Sequence, residues 1–139
     1  MEQDKSTLIV DKMYDNDAFS KWLGIKRIHV SPGECVLEMT VRDEMTNGFG
    51  IAHGGICYSL ADSALAFAAN SHGRKSISVE TSISHTVQLK PGDVIRAVAK
   101  ELNRSNKIGI YEVKISNHTG SLVALFKGTV YITSRDWEV

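Results

Sequence analysis

The stretch Ile56 to Ala69 limits the fold more than any other part of the chain. Ile56, Tyr58, Leu60, Ala61, Ala64, Leu65, Ala66, Phe67, Ala68 and Ala69 succeed one another with no wide polar stripe between them. A helix apolar all round is a buried helix, so the rest of the molecule must supply its cover. Two features sit badly with plain burial: Asp62 lies inside the stretch, and His53-Gly54-Gly55 leads into it.

The remaining segments read mostly as strands. Ala18 to Leu23, with Phe19, Trp22 and Leu23 at helical spacing, predicts a short amphipathic helix stopped by Gly24. Ile25 to Val30, the turn Ser31-Pro32-Gly33 and the alternating Cys35, Leu37, Met39 and Val41 predict a hairpin. Asp43 to His53 lacks periodicity and reads as a loop into the apolar helix. Beyond Gly73, Ile77, Val79, Thr81, Ile83, His85, Val87 and Leu89 fall on one face of a long strand ended by Lys90-Pro91-Gly92-Asp93. Strands follow at Val94 to Leu102, Ile108 to Ile115 and Ser121 to Ile132, with turns at Asn103 to Lys107 and Asn117 to Gly120.

That order predicts an α+β fold in which a strongly curved antiparallel sheet wraps a long central helix. A small sheet cannot cover such a helix entirely. Its uncovered face and an unpaired edge strand predict self-association, as a dimer or a dimer of dimers.

With 139 residues and 42% of them hydrophobic, the chain is sized for one core, so a single domain is expected over 1–139. Sixteen Lys plus Arg balance sixteen Asp plus Glu, and the formal charge of zero advertises neither a nucleic-acid nor a membrane surface. In the charged first seventeen residues the apolar run Leu8-Ile9-Val10 is too brief for a signal-peptide core or a membrane span, so a soluble, cytoplasmic protein is expected. Cys35 and Cys57 lack the spacing of a thiol pair or zinc knuckle and read as reduced core cysteines. The five histidines show no metal-ligand spacing, and no metal or cofactor is expected. No phosphate loop, dinucleotide fingerprint or Gly-x-Ser-x-Gly elbow is present.

Asp62 needs a reason, because a carboxylate without partners is costly to bury. Its neighbours three and four residues away are Tyr58, Ser59, Leu65 and Ala66, none of them basic. Either backbone or serine groups of another element satisfy it, or it is kept reactive at a pocket edge as general base or nucleophile. Gly54 and Gly55 provide a bend before the helix. Equally, they let a carbonyl oxygen reach unpaired N–H groups at the positive end of the helix dipole, which is what an oxyanion site requires. Gly54 and Asp62 are about 12 Å apart along one helix at roughly 1.5 Å per residue, too far to act together on one carbonyl. Two helices antiparallel across a dimer axis would bring the start of one beside Asp62 of the other.

Asn47, His53-Gly54-Gly55 and Leu60-Ala61-Asp62, taken in order, resemble the hotdog-fold acyl-CoA thioesterases, above all the bacterial phenylacetate-degradation type that acts on phenylacetyl- and hydroxyphenylacetyl-CoA. The likeness continues through Asn16-Asp17-Ala18, Leu23-Gly24-Ile25, Leu89-Lys90-Pro91-Gly92, Gly109 to Val113 and Val123 to Gly128. The resemblance implies that the Gly54 N–H meets the thioester oxygen, while Asn47 of the same subunit positions substrate or water. It implies that Asp62 comes from the neighbouring subunit, that Thr81 takes the water-orienting hydroxyl position, with Ser82 the alternative, and that His53 orients the loop. At Thr86-Val87-Gln88, with His85 nearby, the chain departs from the family's usual Asn or Asp before an aromatic, so the resemblance implies the fold and leaves the acyl group, aryl-acetyl or other, open. Lys90 and Arg104 are singled out among the turn cations as candidate contacts for the CoA phosphates. The reading is thus an acyl-CoA hydrolase; the rivals are a non-catalytic acyl-CoA sensor and an enoyl-thioester hydratase on the same scaffold.

Overall fold

The structure, a computed structural model, describes residues 4–139; the first three positions of the expected domain lie outside the described residues. Helix α3, Gly54–Asn70, is the axis of the molecule, with Leu60, Ala61, Ala64, Leu65, Phe67 and Ala68 all buried. Six antiparallel strands pack around it: β1 Lys26–Ser31, β2 Glu34–Thr40, β3 Arg74–His85, β4 Val94–Arg104, β5 Ile108–Asn117 and β6 Leu122–Asp136. Their spatial order is β1-β2-β4-β5-β6-β3. The chain therefore crosses the whole sheet through α3 before laying β3 against β6, and β3 ends up as an edge.

Small residues let the sheet close on the helix. Ala97 and Ala99 of β4 are fully buried among Cys35, Leu37 and Ile95. On β6 a Cβ at Gly128 would lie 2.6 Å from Leu65 Cδ2, so glycine is what allows the helix this close.

Two short helices precede the sheet. Helix α2, Ala18–Leu23, starts at Asp17, whose carboxylate accepts from the Ser20 N–H at 3.0 Å, and ends at Gly24 with a left-handed φ of 73°. The expected stop at Gly24 is observed, for the physical reason that glycine adopts this conformation without strain. Helix α1, Lys5–Asp15, has no counterpart in the sequence reading. Its Ile9 and Val10 are fully buried, and Ser6 Oγ donates to the Ser71 carbonyl at the end of α3. Among the described residues no helix is long and apolar enough to cross a membrane.

One expectation fails in β3. Its pairing with β6 slips between Ser78 and Glu80, a bulge that inserts Val79 and swaps the two faces of the strand. Ile77 and Val79 are consequently 61% and 59% exposed, whereas Thr81 and Ile83 point inward. The strand also ends at His85, and residues 86–90 continue as irregular chain.

Candidate active site

The N-terminus of α3 opens onto a cavity of about 290 Å³. Asn47, Ile51, Ala52, His53, Gly54 and Cys57 form one wall, and His85, Thr86, Val87, Gln88 and Leu89 form the other. The loop before the helix is tied into a tight arch: Thr46 bridges Ala52, the Asn47 N–H donates to the Ile51 carbonyl at 2.8 Å, and Asn47 Oδ1 accepts the Phe49 N–H at 2.9 Å. With its oxygen so engaged, the Asn47 amide presents its NH₂ as the available arm.

Accounting for the first N–H groups of α3 isolates one of them. The His53 N–H goes to the Met45 carbonyl at 2.8 Å, the Gly55 N–H to His53 Nδ1 at 3.3 Å and the Ile56 N–H to the His53 carbonyl at 2.9 Å. The Gly54 N–H has no partner among the described residues and belongs to the cavity wall. A free donor at the positive end of a seventeen-residue helix suits an oxygen acquiring negative charge. His53 is the helix cap through its unprotonated Nδ1. Any side chain at position 54 would crowd the cavity, since a Cβ there would lie 3.3 Å from His85 Nε2.

Asp62 sits elsewhere. With Gly55, Ser59 and Ala66 it forms the stripe of α3 that the sheet leaves uncovered, at spacings of four, three and four residues. Its pKa is pushed upward, chiefly by burial and secondly by the like charge of Asp17. Asp17 is held on the far side of the same seam: Ser20 Oγ donates to Asp17 Oδ2 at 2.6 Å and lies 2.8 Å from Ser63 Oγ, one residue from Asp62.

Of the residues singled out in the sequence, Asn47, His53 and Gly54 thus meet at one cavity. Thr81 faces inward and shares a 2.6 Å hydrogen bond with the Tyr58 hydroxyl, while Ser82 is exposed on the outward face opposite Lys127. Gly55 is exposed beside the cap, and Lys90 lies just past the rim residue Leu89, its N–H bound to Asp93 Oδ2. Arg104 is not brought to the cavity. It lies at the opposite end of α3, its Nε 3.9 Å from Glu101, which also accepts from Tyr111 at 2.7 Å and contacts His72 at 2.8 Å. His85 and Cys57 line the cavity without having been singled out for it; a lone histidine ending a strand carries no spacing signal. Burial raises the Cys57 thiol to about 11 and the Cys35 thiol to about 12, which keeps both protonated and unreactive.

A sheet of this order closed around one helix, with a free amide at the helix start, defines a hotdog-fold thioesterase. Residues 49–124 match the thioesterase superfamily, and the chain belongs to it. Acyl-coenzyme A thioesterase PaaI of Escherichia coli (strain K12) is 39% identical over 84% of this chain and 83% of its own length. Acyl-coenzyme A thioesterase 13 of Homo sapiens is 30% identical over 82% of this chain and 84% of its own. The solved structure of the E. coli PaaI protein from the phenylacetic acid degradation operon superposes with a TM-score of 0.92 at 35% identity, covering 95% of this chain and 96% of that one.

Proposed function

We propose that the chain, as one domain, hydrolyses acyl-CoA thioesters in the cytoplasm as a homo-oligomer whose active sites each draw on two copies. The reading rests above all on the unpartnered Gly54 N–H at the cavity. The thioester carbonyl oxygen accepts from that amide, and the Asn47 NH₂ holds the substrate or the attacking water. Asp62 of a second copy takes a proton from water as the water oxygen bonds to the carbonyl carbon. The C–S bond then breaks, the departing thiolate takes the proton held by Asp62, and the acid leaves as carboxylate after giving its own proton to solvent. In the nucleophilic variant Asp62 itself attacks the carbonyl carbon, the C–S bond breaks and the thiolate leaves to be protonated from solvent, and water then hydrolyses the anhydride to the acid and the free Asp62 carboxylate.

A second copy is supported by two observations. The stripe containing Asp62 is otherwise built of Gly55, Ser59 and Ala66, small enough for another helix to approach closely, and β3 offers an unpaired edge with Ile77 and Val79 exposed. Aryl-acetyl groups are the first substrates to assay, given the likeness to PaaI.

The test is complementation. Asp62→Asn alone is expected to lose about 10²-fold or more of turnover without unfolding, and Gly54→Ala alone to be severely impaired. Denaturing and refolding the two together should restore about a quarter of wild-type activity, since half of random dimers are hybrids with one intact site. Two inactive parents with no recovery would place both groups in one chain, and near-normal thiol release by Asp62→Asn would remove the carboxylate from the mechanism.

A further inference from the structure

The connection between α2 and α3 is more elaborate than helix packing needs. A plain N-cap requires one acceptor for the Ser20 N–H, and Asp17 Oδ1 provides it at 3.0 Å. The other carboxylate oxygen, Oδ2, is committed to Ser20 Oγ, which in turn touches Ser63 Oγ on α3, in a seam where Ser20 is 1% and Ser63 9% exposed. Burying two hydroxyls between helices is worthwhile only when each finds its partner. This relay fixes the rotamer of Asp17 against the turn of α3 that carries Asp62.

Among the described residues neither Asp17 nor Asp62 is ion-paired with a cation. Lys12 and Lys21, the basic residues flanking Asp17 in sequence, spend their ammonium groups on the carbonyls of Glu138 at 3.0 Å and Asp15 at 2.8 Å. On α3 the titratable neighbour one turn away, Tyr58, is bound to Thr81 of β3. Asp17 is the charged group that raises the Asp62 pKa, second to burial. In the two-copy site proposed above, the titratable groups of the cavity that would receive the carboxylate are His53, Cys57 and His85.

We propose that Asp17 is a positioning residue for the reaction, holding a fixed negative charge beside Asp62 through the Ser20–Ser63 relay. The inference rests on the role given to Asp62 above. A like charge at fixed range favours the protonated carboxyl, so Asp17 makes Asp62 hold a proton more tightly and accept one more readily from water.

Asp17→Asn and Asp17→Ser separate this role from capping, because both residues cap helices well without carrying charge. In each, the acid limb of the kcat/KM profile is expected to move to lower pH and the plateau to fall, as befits a weaker base. On the acid limb the ratio of variant to wild-type rate should therefore exceed its plateau value. A ¹³C titration of the Asp62 carboxyl should move in the same direction without reference to turnover. Asp17→Glu should return the limb toward its original position. Unaltered limbs in both neutral variants, with the Asp62 titration also unmoved, would overturn the proposal. An active Asp62→Asn enzyme would instead remove the reading on which it rests, so the two failures are distinguishable.

Discussion

Asp62 combines two properties that oppose each other. Burial and the Asp17 charge raise its pKa, so the folded chain binds this proton more tightly than the unfolded chain, and ionisation at neutral pH works against folding. Stability contributed at this site is greatest below the unfolded aspartate value and is lost as pH rises through the folded one. Asp62→Asn is accordingly expected to melt higher than wild type at pH 7, the gap closing as the buffer is acidified, which a series of thermal melts would check. The acid limb of wild-type hydrolysis is expected above the ordinary aspartate range. The sequence announced Asp62 because nothing basic stands three or four residues away, and announced Gly54 because the glycines precede an apolar helix. It could not announce His85, whose place opposite Gly54 depends on where β3 stops.

Elements were legible in proportion to how far local pattern dictated them. The span of α3 and the turns at Gly33 and Gly120, whose φ values are 80° and 83°, followed from periodicity and turn chemistry. Strand β3 did not, because Val79 continues the alternation of Ile77 while occupying a bulge. Helix α1 escaped because Ile9 and Val10, two β-branched residues among charges, give a weak helical signal, and their burial comes from α3 and the sheet. The contact between α3 and β6 makes its own prediction. Gly128→Ala puts a methyl where Leu65, itself buried, already lies, and is expected to destabilise by about 1–3 kcal/mol, read from urea unfolding. A companion change, Leu65→Ala, should relieve that clash at the cost of a cavity, so the two effects should be non-additive.

For the molecule as a whole, the uncovered stripe of α3 and the free edge of β3 face the same question of what completes the burial. Ile77→Lys with Val79→Lys charges that edge without touching the core and is expected to yield folded monomers with little thioesterase activity, resolved by light scattering on a sizing column beside circular dichroism. Retained oligomers would mean that association does not run through β3. The cavity's other wall has a different character. Residues 86–89 are pinned largely by main chain: the Thr86 and Val87 N–H groups donate to the Val123 carbonyl at 2.9 and 3.4 Å, and the Leu89 carbonyl accepts from Ala52 at 2.8 Å. The side chains of Val87 and Gln88 are exposed at the cavity and take no part in those bonds. A lineage exchanging these two residues would reshape what the pocket admits while leaving every anchor of the segment intact, so new substrate preferences can be explored by drift at almost no cost to the scaffold.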